Sequence, residues 1–186
     1  MEIALKVNPR ERRSSGFTML ELVIVIAIVG VLIGLGVPSF KYVTTANRIA
    51  SEVNGLLGDM QFARAEAIKE GQTVVVCVSS NGTSCSTNPW NNGWIVCSDP
   101  ANDGSCDAGE PIYRVQKPFA STDTFIASGN TDVLTFNRDG FAVGLAGVVT
   151  IALHNAPAAV TAYTRCLAVS AVGTLTVESS GTGACL

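Results

Sequence analysis

The sequence predicts an α+β protein, with one long N-terminal helix packed on a β-rich globular head. Three observations carry that expectation. Residues Phe17 to Val37 form an apolar run that holds a single carboxylate, Glu21. Apolar residues then recur at steps of three and four as far as Ile68. From Thr73 onward the pattern changes to short runs rich in Val, Ile, Thr and aromatic residues, broken by Gly, Asn, Asp and Pro.

The first element is a membrane-length helix. Phe17 to Val37 is 21 residues, and at 1.5 Å per residue such a helix covers about 30 Å, the thickness of a bilayer core. Lys6, Arg10, Arg12 and Arg13 precede it, against Glu2 and Glu11. This basic flank predicts a cytoplasmic N-terminus and an exported remainder. A secretory signal peptide would have a shorter apolar region ending at a small-residue cleavage site, whereas this run ends at Val37-Pro38.

The second element continues the first. Val43, Ala46, Ile49, Ala50, Val53, Leu56, Leu57, Met60, Ala63, Ala67 and Ile68 mark one helical face. The helix is expected to end near Glu70, with Gly71 as its cap, so that both halves together span roughly 80 Å. Pro38 is the expected kink. Gly30, Gly34, Gly36, Gly55 and Gly58 soften the helix, and in the membrane half glycines permit close helix approach.

The head follows as a series of short strands. The expected runs are Thr73–Ser79, Trp94–Ser98, Pro111–Val115, Thr124–Ala127, Val133–Asn137, Val148–Leu153, Ala162–Ser170 and Thr174–Val177. About 115 residues suffice for one modest core, so a single head domain is the economical reading.

Glu21 is the strongest functional clue in these residues. An unpaired acid inside hydrocarbon costs about 2.5–3.5 kcal/mol on insertion scales, so a chain that keeps one has a partner or a job for it. The plain alternative is a single-pass anchor whose Glu21 faces another helix.

All six cysteines lie after the apolar run, on the side expected to be oxidising, which favours disulfides. Six cysteines allow 15 connectivities. Their order suggests local pairs, Cys77 with Cys85, Cys97 with Cys106, and Cys166 with Cys185. Zinc is the rival reading. Against it, the chain has no Cys-x-x-Cys, and its one histidine, His154, has no spaced partner.

Two smaller signals have competing explanations. Asp99, Asp103, Asp107 and Glu110, with Gly104 between, match much of a calcium-loop template, but Ala101 occupies a ligand place. An Asp/Asn/Gly-rich hairpin turn is the preferred reading, and no metal or other cofactor is expected. Trp90 and Trp94 are read as core and turn anchors rather than a binding surface. No catalytic constellation emerges, since His154 has no accompanying nucleophile motif. The chain is therefore expected not to be an enzyme.

A basic leader ending in Gly16, then Phe17-Thr18-Met19-Leu20-Glu21 and an apolar helix with Pro38 beyond it, resembles the class III signal of type IV pilins and type II secretion pseudopilins. The head carries the likeness further. Phe62-Ala63-Arg64-Ala65-Glu66-Ala67-Ile68, Gly71-Gln72, the strand with Cys77 and Trp90-Asn91-Asn92-Gly93-Trp94 are similar to the GspH/FimT family of minor pilins and pseudopilins. Asp99 to Glu110, Phe136-Asn137-Arg138-Asp139-Gly140 and Gly173 extend it.

That resemblance implies the type IV pilin fold and a chain divided into a leader (1–16), a transmembrane and assembly helix (17–37), an amphipathic helix entering the head (38–71) and a periplasmic head (72–186). It implies a prepilin peptidase that cuts between Gly16 and Phe17 and methylates the new amine of Phe17. Glycine before the scissile bond lets an extended chain fit a protease cleft. It also implies that Glu21 docks on the N-terminal amine of a neighbouring subunit, that other minor and major pilins are the partners, and that an inner-membrane assembly platform receives the chain. The location implied is the bacterial inner membrane, with incorporation into an extracellular pilus.

Cys166 and Cys185 look more like the pilus branch of that family than the secretion branch. The first reading is a minor pilin that helps to prime type IV pili, the second a type II secretion pseudopilin, and the third a DNA-binding minor pilin for transformation. Certain family members bind DNA through a basic Gly-Arg-x-Arg stretch, where this chain has Gly173-Thr174-Leu175-Thr176. Beyond Gln72 four cations stand against eight acids, a net charge of −4. An acidic head argues against DNA binding.

Overall fold

The computed structural model describes residues 16–87, 89–155 and 161–185, the side chains of Pro38, Ser39 and Thr161 excepted. The chain divides into two compact units, one ending at Tyr42 and one beginning at Val43. A single helix, α1 (Met19–Glu70), contributes to both.

In the first unit the apolar side chains from Phe17 to Val37 are exposed around the whole circumference of the helix. α1 stays helical through position 38. The Pro38 side chain, on which the expected kink depends, lies outside the described residues.

In the second unit α1 gains a sided character. Ile49, Val53, Leu56, Met60, Ala63 and Ala67 are buried, at alternating steps of four and three. Val43 and Ile68, expected on the same face, are instead exposed and lie at the ends of that stripe. The helix stops where Gly71 adopts φ +68° and donates its N–H to the Ala67 carbonyl at 3.0 Å, a left-handed cap that glycine adopts without steric cost.

Among the described residues, nine antiparallel strands make two sheets. They are β1 (Val74–Val78), β2 (Trp94–Ser98), β3 (Ile112–Gln116), β4 (Thr124–Ala127), β5 (Val133–Phe136), β6 (Ala142–Val143), β7 (Val149–His154), β8 (Arg165–Val169) and β9 (Leu175–Ser179). The first sheet has the order β3-β2-β1-β5-β6 and the second β4-β7-β8-β9. Eight strands fall where the sequence placed them, within a few residues. β6 was not anticipated: only two residues long, it is held by pairing Thr135 with Val143 and Phe136 with Ala142, and shows no alternation of its own. β8 begins at Arg165 rather than Ala162, because Thr161–Tyr163 form a short 3-10 turn.

One hydrophobic core joins the α1 stripe to both sheets. It includes Val74, Val76 and Val78 of β1, Trp94 and Val96 of β2, Leu134 and Phe136 of β5, Phe125 of β4, Ile151 and Leu153 of β7, and Leu167 and Val169 of β8. β7 shows the alternation of a strand with one covered face: Val149, Ile151 and Leu153 are buried and the residues between them half-buried. β1 does not alternate. Its other face, Val75 and Cys77, joins Ile95, Cys97 and Cys106 in a second buried cluster, so the run Val-Val-Val-Cys-Val is buried throughout.

Candidate functional site

The N-terminal end of α1 is built from its first residues. Thr18 is its cap: its Oγ1 accepts the Glu21 N–H at 3.2 Å, and its carbonyl accepts the Leu22 N–H at 3.1 Å. Thr18-Met19-Leu20-Glu21 thus has the spacing of a capping box, and satisfies one of the donors that a helix start leaves orphaned. The Ser/Thr-x-x-Glu spacing is the sequence signal for Thr18, a residue absent from those expected above to matter.

Glu21 therefore stands in the first turn, where the helix dipole favours an anion. Its residue is exposed, like Gly16 and Phe17 before it. Arg48–Asp123, Lys69–Glu66 and Arg114–Asp59 are ion pairs, and Glu21 is in none of the three. An N-terminal amine created at Phe17 would sit one residue before the cap. The leader before Gly16 lies outside the described residues.

The head is fastened to its own part of α1 by polar contacts at several levels. Asp59 accepts the Trp94 indole N–H at 2.9 Å and an Arg114 guanidinium N–H at 2.7 Å. Arg114 also lies 3.9 Å over the Phe62 ring. The Tyr113 hydroxyl donates to Glu70, which holds the Glu70 carboxyl below its ordinary range, while burial first and that hydrogen bond second push the Tyr113 phenol up. Arg48 makes a two-point ion pair with buried Asp123, at 2.7 and 2.9 Å.

Trp90 and Trp94 are buried. The Trp90 N–H donates to the Thr131 carbonyl at 2.8 Å, and Trp94 lies among Phe119 and Phe125 at ring distances of 5.7 and 6.3 Å.

Three motifs far apart in sequence meet at one point. Asn137 builds the turn between β5 and β6, accepting N–H groups of Asp139 and Phe141 on its side-chain oxygen. That turn brings Gly140 against Arg64 and Ile68 of α1, and Gly173 against both Gly140 and Arg64. Gly173 has φ +77°, and a Cβ there would run into the Gly140 carbonyl. Nothing in the linear sequence shows this convergence of Arg64, Gly140 and Gly173.

The structure joins Cys77 to Cys85, Cys97 to Cys106 and Cys166 to Cys185, with Cα separations of 5.5, 6.0 and 5.5 Å. These separations suit disulfides. Asp99 is buried, and its carboxylate accepts backbone N–H groups of Asp103 at 3.2 Å and Gly104 at 2.9 Å. Ser105 links Asp103 to Asp107, and Glu110 accepts the Asp107 N–H. The acids are thus engaged in shaping the β2–β3 turn. Among the described residues, Asp99, Asp103, Asp107 and Glu110 do not bring three carboxylate oxygens within 4.8 Å of one another.

An unburied apolar helix with a capped, acid-bearing start and a disulfide-braced β head define a membrane-anchored protein of the pilin class. The chain belongs to the GspH family: the model described as type II transport protein GspH matches residues 52–173, and that of the prokaryotic N-terminal methylation motif matches residues 12–37. Among curated relatives, the type IV narrow pilus major component PilA5 of Thermus thermophilus is 28% identical over 109 residues, covering 56% of this chain and 89% of the relative. Type II secretion system protein H of Pseudomonas aeruginosa is 38% identical over 61 residues, 33% of this chain and 36% of the relative. The type IV minor pilin FimU of Pseudomonas aeruginosa shares the fold, with a TM-score of 0.59 at 22% identity, covering 75% of this chain and 96% of that one.

Proposed function

We propose that this chain is a non-enzymatic minor pilin, cut between Gly16 and Phe17 and methylated at Phe17, that helps to prime or cap a type IV pilus. The observation that carries this reading is the first unit: Gly16, a Thr18-capped helix start and Glu21 lead an apolar helical stretch whose side chains are exposed on every side. Such a surface needs bilayer or neighbouring helices around it, and a carboxylate in it needs a cation. The methylated amine of an adjacent subunit supplies one. On this reading the N-terminus is cytoplasmic before cleavage and the head periplasmic; the prepilin peptidase, the inner-membrane assembly platform and other pilins are the partners. The acidic head gives DNA no basic footprint.

The second reading, a type II secretion pseudopilin, is favoured by the short but closer likeness to secretion protein H. The pilus is preferred because the likeness to the narrow pilus component runs over more of both chains.

Changing Gly16 and Glu21 separately tests the shared core of both readings. Gly16→Val is expected to leave the leader uncut, and Glu21→Gln to be cut normally yet lost from filaments; normal incorporation of both overturns it. Deleting the gene separates the two systems. Lost twitching with intact protein secretion supports the pilus, and the reverse result supports the secretion apparatus.

A further inference from the structure

Two of the head's disulfides touch each other. The β1–β2 register sets Cys77 opposite Ile95 and Val75 opposite Cys97, so Cys77 and Cys97 are diagonal neighbours on one sheet face. Both are fully buried. Their partners come from the loops that follow those strands: half-buried Cys85 after β1, and buried Cys106 after β2. The Cys77 and Cys106 sulfurs lie 3.7 Å apart, in van der Waals contact. The sulfurs of Cys77, Cys85 and Cys106 all lie within 4.8 Å of one another. Cys106 therefore has Cys97 as its bonded partner and Cys77 as its neighbour.

We propose that these two bonds form a single thiol–disulfide exchange site whose co-substrate is an external dithiol. A thiolate of the dithiol attacks Cys85, the more accessible sulfur, and Cys77 leaves as thiolate. The second thiol of the dithiol attacks the mixed disulfide, so that Cys85 leaves as a thiol and the dithiol departs oxidised. Cys77 then attacks Cys106; the Cys77–Cys106 bond forms as the Cys106–Cys97 bond breaks, and the Cys97 thiolate takes a proton from solvent. Two electrons enter, and one disulfide and two thiols result. The product ties β1 to the β2–β3 loop and releases the loop after β1. Without a reductant both bonds are intact and no thiolate is present, so the exchange begins only when the dithiol releases Cys77.

Single-cysteine variants of the full chain in detergent test this, with acid quenching, alkylation and non-reducing peptide mapping by mass spectrometry. Cys85→Ser is expected to divide its free thiol between Cys77 and Cys97, with Cys77–Cys106 in at least about one molecule in ten, the share a tenfold exchange constant leaves. Cys97→Ser should likewise divide it between Cys106 and Cys85. Cys106→Ser removes the contact and should leave Cys77–Cys85 alone, with Cys97 free. Wild-type protein treated with limiting dithiothreitol should show Cys77–Cys106 together with labelled Cys85 and Cys97, which decides the matter where a variant misfolds. Native pairs only, with the new bond below about one in ten in the wild type and in every folded variant, overturn the proposal.

Discussion

Both halves of α1 carry large apolar residues, and the structure treats them in opposite ways. Ile24 and Leu35 are 49% and 72% exposed, whereas Ile49 and Leu56 are fully buried. The difference lies in periodicity. Residues 17–37 are apolar on every side, so no single partner face inside the chain can cover them, while the later half confines its large apolar residues to one stripe that two sheets cover. Burying each such side chain is worth about 1.5–3 kcal/mol. The head collects that stabilisation within the chain, and the first unit leaves it to a bilayer or to neighbouring helices.

The sharpest way to break this comparison is to truncate one leucine in each half. Leu56→Ala is expected to lower head stability by about 2–5 kcal/mol, the cost of a cavity in a filled core. Leu32→Ala, on the exposed stretch, should change it by less than about 0.5 kcal/mol. Thermal melting of the full chain in detergent, followed by the near-ultraviolet signal of Trp90 and Trp94, reads both. Comparable losses would mean that the first stretch is part of the folding core.

Legibility in the sequence followed the same division. The helix end at Gly71 and eight strands could be read because local chemistry, a left-handed cap or a run of β-branched residues, decides them. β6 could not be read, since two residues carry no period and its existence depends on β5 beside it. The acids from Asp99 to Glu110 fitted two templates, and only the hydrogen bonds of Asp99 to the backbone show how they are used. At the N-terminus the importance of Glu21 was legible from its cost in hydrocarbon, while its place as the third residue of a capped turn needed Thr18 to be seen as the cap. The meeting of Arg64, Gly140 and Gly173 was illegible for a different reason: it is long-range packing, and no one segment encodes it.

Glycines offer a second, intermediate test of the contrast. Gly173→Ala should destabilise the head by at least about 1–3 kcal/mol, because alanine is strained at φ +77° and its Cβ meets the Gly140 carbonyl. Gly34→Ala meets no atom within 4 Å. It should leave head melting unchanged and raise local helix propensity by about 1 kcal/mol. If Gly173→Ala melts like the wild type, the three-motif junction is not the constraint that the geometry makes it.

The smallest expected effect separates the two carboxylates. Glu52 accepts a hydrogen bond from Ser121 at 3.1 Å, but its Oε2 is buried without a donor, and Asp123 beside it is a further acceptor already charged against Arg48. Burial, and then the Asp123 charge, push the Glu52 carboxyl above its ordinary value of about 4.5, against the opposing pull of Ser121 and Arg48. A proton on Glu52 gives Oε2 something to donate to Asp123. Because the folded state holds that proton more tightly than the unfolded chain, its contribution is complete below pH 4.5 and fades as the pH rises through the higher folded value. Glu52→Gln keeps a donor at every pH, so it should melt higher than wild type at neutral pH and lose part of the wild-type decline as the pH rises above 4.5. Glu21→Gln, in the exposed apolar stretch, should leave the head's pH profile as it was. A Glu52→Gln protein that melts lower than wild type at pH 7, with an unchanged slope, would mean that Glu52 is ionised in the fold and that its orphaned oxygen is satisfied in some other way.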